Sequence, residues 1–105
     1  MPRAQSWTKW LTSAGRVEVR LTTERADVLD FSVQYLADIV GEWRPVVRFD
    51  TAHHEAHMDV LWPNGQKETR QLKRLDNRAA LTYALDDIDR RWEFYRDRYT
   101  RMLQR

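Results

Sequence analysis

All three histidines of this chain lie within five residues of one another, in a stretch that also carries arginine and aspartate. The stretch runs from Arg48 to Asp59 and contains Arg48, Asp50, His53, His54, His57 and Asp59. Histidine changes its protonation state near neutral pH, and arginine offers a planar fork that fits phosphate or carboxylate. These residues are therefore the candidate site, and three interpretations of them stay open.

The first interpretation is a metal site. His53, His57 and either Asp59 or Asp50 would supply three ligands to a zinc- or iron-type ion, because imidazole and carboxylate groups both bind such ions. Two histidines four residues apart come together on a helix, however, and this segment is predicted to be a loop followed by a strand. We therefore expect no bound metal and no other cofactor, and keep this ligand set as the alternative.

The second interpretation is acid–base chemistry without a metal. Two histidines can act as general base and general acid, while Arg48 stabilises a pentavalent phosphate. Cleavage of RNA by attack of its own 2′-hydroxyl needs little more than these groups. The catalytic candidates are His53, His54, His57, Arg48 and Asp50. Whether the chain is an enzyme stays open.

The third interpretation is structural. Asp50 would cap the loop through its own backbone, as aspartate does in Asx turns. The pairs His57–Asp59 and Arg48–Asp50 would lie on a solvated sheet face, where each exposed ion pair contributes less than about 1 kcal/mol. In this interpretation the candidate residues stabilise the sheet and have no chemical role.

Length and composition limit the remaining choices. The 105 residues, 42% of them apolar, predict a single domain over residues 1–105. No cysteine is present, so disulfides and thiolate metal sites are excluded. The sequence contains no apolar run of 18 residues and no signal peptide, which predicts a cytoplasmic protein that does not enter membranes.

The balance of charge bears on nucleic-acid binding. The formal net charge is +2, and arginine supplies fifteen of the eighteen basic residues. Arginine suits phosphate recognition, but an arginine-rich surface also arises from genome composition alone. Acidic residues are interspersed, which argues against strong non-specific binding. We expect no aromatic side chains that could stack on bases on the polar face of the sheet.

The chain divides into three parts. Residues 1–14 form an N-terminal segment in which Trp7 and Trp10 suit one helical turn, or a cap on an open edge of the core. Residues 16–72 alternate between apolar and polar side chains, which predicts an antiparallel β-meander of four to five strands. The Asn64-Gly65 pair is a strong signal for a tight hairpin turn. The predicted fold class is therefore α+β.

The alternation also assigns faces to the third and fourth predicted strands. Trp43, Pro45, Val47 and Phe49 are expected on one face, with Pro45 at a sheet edge or at a strand start because it cannot donate to a ladder. On the other face, Arg48 and Asp50 should meet His57 and Asp59 if the two strands pair. The candidate residues would then converge on a few ångströms of sheet surface.

Residues 76–104 are predicted to form a long amphipathic helix with Asp76 as its N-cap. A helix of about 27 residues would be roughly 40 Å long, against roughly 25 Å for an eight-residue strand. The helix should therefore extend past the sheet and leave its Tyr99–Met102 end in need of a partner. A second copy of the chain is the simplest candidate, so a homodimer is predicted.

The second half of the chain resembles a known group of proteins. The run "RPVVRFDTAHHEAHMDVLWPNGQ", followed by "ALTYALDDIDRRWEFYRDRY", is similar to small prokaryotic proteins of unknown function. More distantly it resembles the TumE-like toxins, in which an arginine–aromatic–aspartate run precedes paired histidines and a hairpin. The resemblance implies a sheet-plus-helix fold and a toxin–antitoxin setting with an RNA or antitoxin partner. The matched positions are Arg48, Asp50, His53 and His57.

Overall fold

The computed structural model describes residues 1–51 and 55–104, which form an open antiparallel sheet of six strands and a C-terminal helix. The elements are β1 (Arg3–Thr12), β2 (Gly15–Glu24), β3 (Asp27–Ile39), β4 (Glu42–Asp50), β5 (His57–Leu61), β6 (Lys67–Gln71) and α1 (Asn77–Leu103). Strand order in the sheet follows chain order, so the sheet is a meander. The predicted α+β class, the meander and the C-terminal helix are confirmed.

The number of strands was underestimated, because the described residues form six strands where four to five were predicted. The additional strand is β1, which pairs with β2 from Arg3 opposite Thr23 to Trp10 opposite Arg16. Of the two alternatives for Trp7 and Trp10, the helical turn is therefore wrong, and the tryptophans lie instead on a strand at the edge of the sheet. As an edge strand, β1 exposes both of its faces along almost all its length, so its sequence lacks the apolar–polar alternation that reveals a half-buried strand.

The core lies between one face of the sheet and α1. Its sheet side is built from residues that alternate along the strands, among them Val19, Val33, Val47 and Phe49, each at most 1% exposed. The helix packs mainly over β3 and β4. Asp76 caps α1 by accepting a hydrogen bond from the Ala79 N–H at 2.8 Å, which confirms the predicted N-cap.

α1 is not longer than the longest strand of the sheet, contrary to the prediction. β3 has 13 residues and is therefore roughly 43 Å long, against roughly 40 Å for the 27 residues of α1. Tyr99 is 5% exposed and belongs to the core. The prediction of an unpartnered helix end is therefore wrong for Tyr99, whereas Met102 at the same end is 36% exposed. The homodimer inferred from that end loses its original support.

A β-bulge in the middle of β4 changes which residues share a face. Tyr35 pairs with Val47, but the next residue of β3, Leu36, pairs with Pro45, so Val46 is an extra residue. The bulge places Trp43 and Pro45 on the face opposite to Val47, whereas all were predicted on one face. β5 pairs with β4 only from Val47 to Asp50, so Pro45 lies where β4 has an open edge on that side, in agreement with the expected edge position.

Candidate functional site

We define the outer face as the side of the sheet that points away from α1. Because side chains alternate along a strand, residues paired across neighbouring strands share a face. The register aligns Arg20, Ser32, Asp50 and His57 in one row across β2 to β5. The neighbouring row contains Glu18, Gln34, Arg48, Asp59 and Thr69, from β2 to β6. Both rows lie on the outer face.

Four side chains in these rows form what we call the charge cluster: Arg48, Asp50, His57 and Asp59. His57 Nε2 lies 3.0 Å from Asp50 Oδ1 and 3.5 Å from Asp59 Oδ2. Arg48 contacts both carboxylates, with Nη2 3.3 Å from Asp59 Oδ2 and Nε 3.2 Å from Asp50 Oδ2. The predicted pairing of these residues on one face is therefore confirmed by the register and the contacts.

Asp59 is the most deeply buried member of the charge cluster, with 1% of its surface exposed. Its Oδ1 accepts a hydrogen bond from the Thr69 hydroxyl at 2.7 Å, and Lys67 Nζ lies 3.8 Å from Oδ2. Burial alone would raise the pKa of Asp59. The hydrogen bonds from Thr69 and Arg48, together with the nearby His57 and Lys67, outweigh burial and lower the pKa below its usual value.

His57 is held on both sides of its ring. Nδ1 lies 3.2 Å from the Glu55 carbonyl oxygen, while Nε2 faces the carboxylates of Asp50 and Asp59. A ring nitrogen that carries a hydrogen can donate in each of these contacts. Acceptors therefore hold the His57 ring in place on both sides.

Three side chains of the charge cluster are of types that bind metal ions. Asp50, His57 and Asp59 can each offer one ligand atom, and these atoms lie within 4.8 Å of one another. The same carboxylates are already contacted by Arg48, and Asp59 also by Lys67. A metal ion would have to displace those cations, so the donor set fits a charge-compensated network better than a cation site.

The structure brings together part of the predicted site. Arg48, Asp50 and His57 are in contact, as is Asp59 from the alternative metal set. His53 and His54 lie outside the described residues. Sequence reasoning missed Thr69 and Lys67, because all five residues of β6 are exposed and its pattern alone does not fix the register. The alternation of Lys67, Thr69 and Gln71 could have placed both beside Asp59.

A second group of side chains on the outer face was also missed. We call Trp10, Arg16 and Trp43 the tryptophan–arginine cluster. The two indole rings meet edge to face with centroids 5.8 Å apart, and the Arg16 guanidinium carbon lies 4.3 Å from the centre of the Trp43 ring. The expectation that this face carries no aromatic groups is therefore wrong. The bulge in β4 and the unrecognised strand β1 account for the error.

Comparison with protein families gives a match that spans residues 1–105. The chain belongs to the DUF7718 family. The description of DUF7718 is a domain of unknown function, which confirms the predicted membership of a family without an assigned activity. No curated protein and no solved structure matches the chain. The more distant resemblance to TumE-like toxins stays a prediction.

Among the residues that the structure describes, no helix is both long and apolar enough to cross a bilayer. This agrees with the charged outer surface of α1, which carries pairs such as Asp86–Arg90 at 3.2 Å.

Proposed function

We propose that this DUF7718 chain is a cytoplasmic, RNA-directed protein of the toxin-like type, and that it acts through the outer face around the charge cluster. The observation that carries the proposal is the placement of Arg48 and His57, which lie in neighbouring rows of one face and are fixed there by Asp50. Arg20 lies in the row of His57 and is exposed. Two cations and a proton donor on one surface suit a phosphodiester ligand.

Arg48 is the phosphate-binding residue in this proposal. Its guanidinium has five N–H donors, and its contacts to Asp50 and Asp59 involve Nε and Nη2. Among the described residues no ion pair uses Nη1, which can therefore bind a phosphate oxygen, and the side chain keeps 33% of its surface exposed. The two carboxylates hold the planar fork in a fixed orientation, which reduces the entropy lost when a ligand binds.

Arg20 extends this phosphate-binding surface. Among the described residues it takes part in no ion pair, unlike Arg48 and Arg16. It lies beside a shallow hollow that is lined in part by Ser6, Asp30 and Ser32. A neighbouring phosphate of the same strand would therefore find an uncompensated cation at Arg20.

His57 acts as general acid in the catalytic form of the proposal. The 2′-oxygen of a ribose attacks the adjacent phosphorus, and the bond from phosphorus to the 5′-oxygen breaks. His57 releases the Glu55 carbonyl and donates the Nδ1 proton to the leaving 5′-oxygen, while His53 or His54 accepts the 2′-hydroxyl proton. The products are a 2′,3′-cyclic phosphate and a 5′-hydroxyl.

Growth of a bacterial host tests this proposal. Expression of the wild-type chain should arrest growth, and His57→Gln should relieve the arrest. Because His57 is part of a buried network, Arg20→Gln provides a second variant outside that network, which should weaken the arrest without unfolding the protein. Glu68→Gln, on the other face of β6, is the matched control and should arrest growth as the wild type does. Normal growth with soluble wild-type protein would contradict the proposal.

A second candidate function is a non-catalytic homodimeric interaction module. It is favoured by β1, a ten-residue edge strand whose side chains are exposed except for a partly buried Leu11. An apolar notch beside it, lined by Trp7, Leu11, Leu85 and Ile88 among others, opens between β1 and α1. A long edge strand of this kind can pair with a second copy.

Light scattering distinguishes this second candidate. At roughly tens of micromolar the wild-type chain should have the mass of a dimer, and Trp7→Lys should convert it to a monomer because a charge would enter the notch. Tyr83→Lys, an exposed aromatic residue on α1 outside the notch, is the matched control and should stay dimeric. A wild-type monomer would rule out the dimer.

A further inference from the structure

We propose that the tryptophan–arginine cluster is a base-stacking subsite for single-stranded RNA. The inference rests on the proposed RNA-directed function and deepens it, because it names how the bases are bound. Trp10 and Trp43 are 57% and 37% exposed on the outer face. The same face carries the charge cluster, so one strand of RNA can reach both.

The contacts within the tryptophan–arginine cluster fix the orientation of its two indole rings. Trp43 is fixed between the Arg16 guanidinium, 4.3 Å from its ring centre, and the edge-to-face contact with Trp10. Arg16 is itself held by Glu18, with Nε 3.0 Å from Oε1. Each ring therefore has a defined orientation before a ligand binds, and an exposed face of Trp10 remains available. Stacking on such a ring costs little conformational entropy.

The chemistry of the cluster favours a nucleobase with an attached phosphate. A planar base stacks on an indole, and every base offers such a planar face. Bases inside a duplex are stacked on one another, so only a single strand can present them to Trp10. Glu18 and Asp38 on the same face would repel a ligand that bound by charge alone, so stacking has to supply much of the affinity.

The spacing between the two clusters sets the length of the ligand. Arg16 and Arg20 lie on the outer face of β2, four residues and therefore roughly 13 Å apart. The row of Arg20 leads across the sheet to Asp50 and His57. In the register Arg48 lies three strands and two residues away from Trp10, which is roughly 16 Å. A single strand with a base on Trp10 and a phosphate at Arg48 therefore spans more than one nucleotide.

Fluorescence anisotropy with a labelled single-stranded RNA of about ten nucleotides tests the subsite. Trp10→Ala should weaken binding roughly 5- to 150-fold, the effect expected from the loss of one stacked base, whereas Trp10→Phe should keep most of the affinity. Trp7→Ala is the matched control: Trp7 lies on the same strand with 43% exposure but faces the helix side. Because Trp7 also lines the notch of the proposed dimer, Tyr83→Ala is the second control: Tyr83 is 45% exposed and lies on α1, away from the outer face and the notch. Tyr83→Ala should bind RNA as the wild type does.

The dependence of RNA affinity on salt concentration distinguishes base stacking from phosphate contacts. For single strands, the slope of log K against log salt changes by about 0.7 for each phosphate neutralised. Arg20→Gln should reduce the slope by that amount, while Trp10→Ala should lower affinity and leave the slope unchanged. A same-length abasic RNA should bind wild type weakly and should not distinguish wild type from Trp10→Ala.

The outcomes distinguish the two proposals. If the wild type binds RNA but Trp10→Ala and Trp43→Ala bind equally well, the stacking subsite is wrong and the proposed function stands. Equal affinity for abasic RNA or for duplex RNA would overturn the subsite in the same way. If the folded wild type binds no RNA, both proposals fall together. Circular dichroism of each variant establishes that it is folded.

Discussion

Asp50 and His57 lie directly opposite each other on β4 and β5, with Oδ1 and Nε2 3.0 Å apart. The contact depends on the register of these two strands, because a shift by one residue would turn one of the side chains to the helix face. Arg48 and Asp59 form the neighbouring cross-strand pair with the same dependence. The charge cluster therefore links strand register to the surface that we propose binds RNA.

The first prediction concerns Asp59. Asp59→Asn keeps the shape of the side chain but removes the charge that Arg48 and Lys67 face, and it weakens the hydrogen bond from Thr69. We expect the free energy of unfolding to fall by about 2 kcal/mol, as for a buried group that loses its partner. Urea unfolding measures this. Glu68→Gln on the adjacent strand, with half its side chain exposed, should change it by less than about 0.5 kcal/mol.

The second prediction concerns pH. Because the pKa of Asp59 is lower in the folded than in the unfolded chain, its contribution to stability is complete above the unfolded pKa of about 3.9 and is lost as the pH falls through the folded value. The difference in urea midpoint between wild type and Asp59→Asn should be constant between about pH 7 and 5 and should shrink below about pH 4. A constant difference down to pH 3 would show that the carboxylate charge is not what stabilises the fold.

The third prediction concerns the turn between β3 and β4. Val40 and Gly41 both have positive φ, 55° and 82°, which is the geometry of a type I′ hairpin turn. A β-branched residue is strained there, and Val40 is 89% exposed, so its side chain contributes little packing. Val40→Asn should raise stability by about 1 kcal/mol and the melting temperature by about 4–8 °C. Gly41→Ala should lower both. An unchanged or lower melting temperature for Val40→Asn would contradict the strain at this turn.

The fourth prediction compares two buried tyrosines. Tyr35 is fully buried, and its hydroxyl has no hydrogen-bond partner among the described residues. Burial raises the pKa of Tyr35 to about 12. Tyr35→Phe should therefore leave stability unchanged or increase it, because it removes an unsatisfied polar group. Tyr95 donates to the buried Asp87, so Tyr95→Phe should lose about 1–3 kcal/mol by urea unfolding. Equal losses in both variants would mean that the Tyr35 hydroxyl has a partner.

Much of the fold follows from the sequence where a strand buries one face. Alternation predicted β2, β3 and β5, and Asp76 predicted the start of α1. Alternation in the third and fourth predicted strands also predicted that Arg48, Asp50, His57 and Asp59 would meet. The edge strand β1 was not predictable in this way, because both its faces are exposed and its pattern carries no period.

The remaining errors in the predicted fold and site concern features that depend on pairing between strands and not on a local sequence pattern. The bulge at Val46 reverses the face of Trp43, and its position depends on pairing with β3. The length of β3 depends on its neighbours, and it decides that Tyr99 is buried. The partners of Asp59 on β6 became visible only when the register of that hairpin was known.

Ultraviolet cross-linking to a single-stranded RNA of about ten nucleotides, followed by mass spectrometry of the linked peptides, tests the central claim most directly. If the outer face binds RNA, the cross-links should lie on Trp10, Trp43 and His57, and they should disappear with excess unlabelled RNA. Cross-links confined to the exposed aromatic residues of α1, Tyr83 and Phe94, or no cross-links to the folded wild-type chain, would contradict the claim.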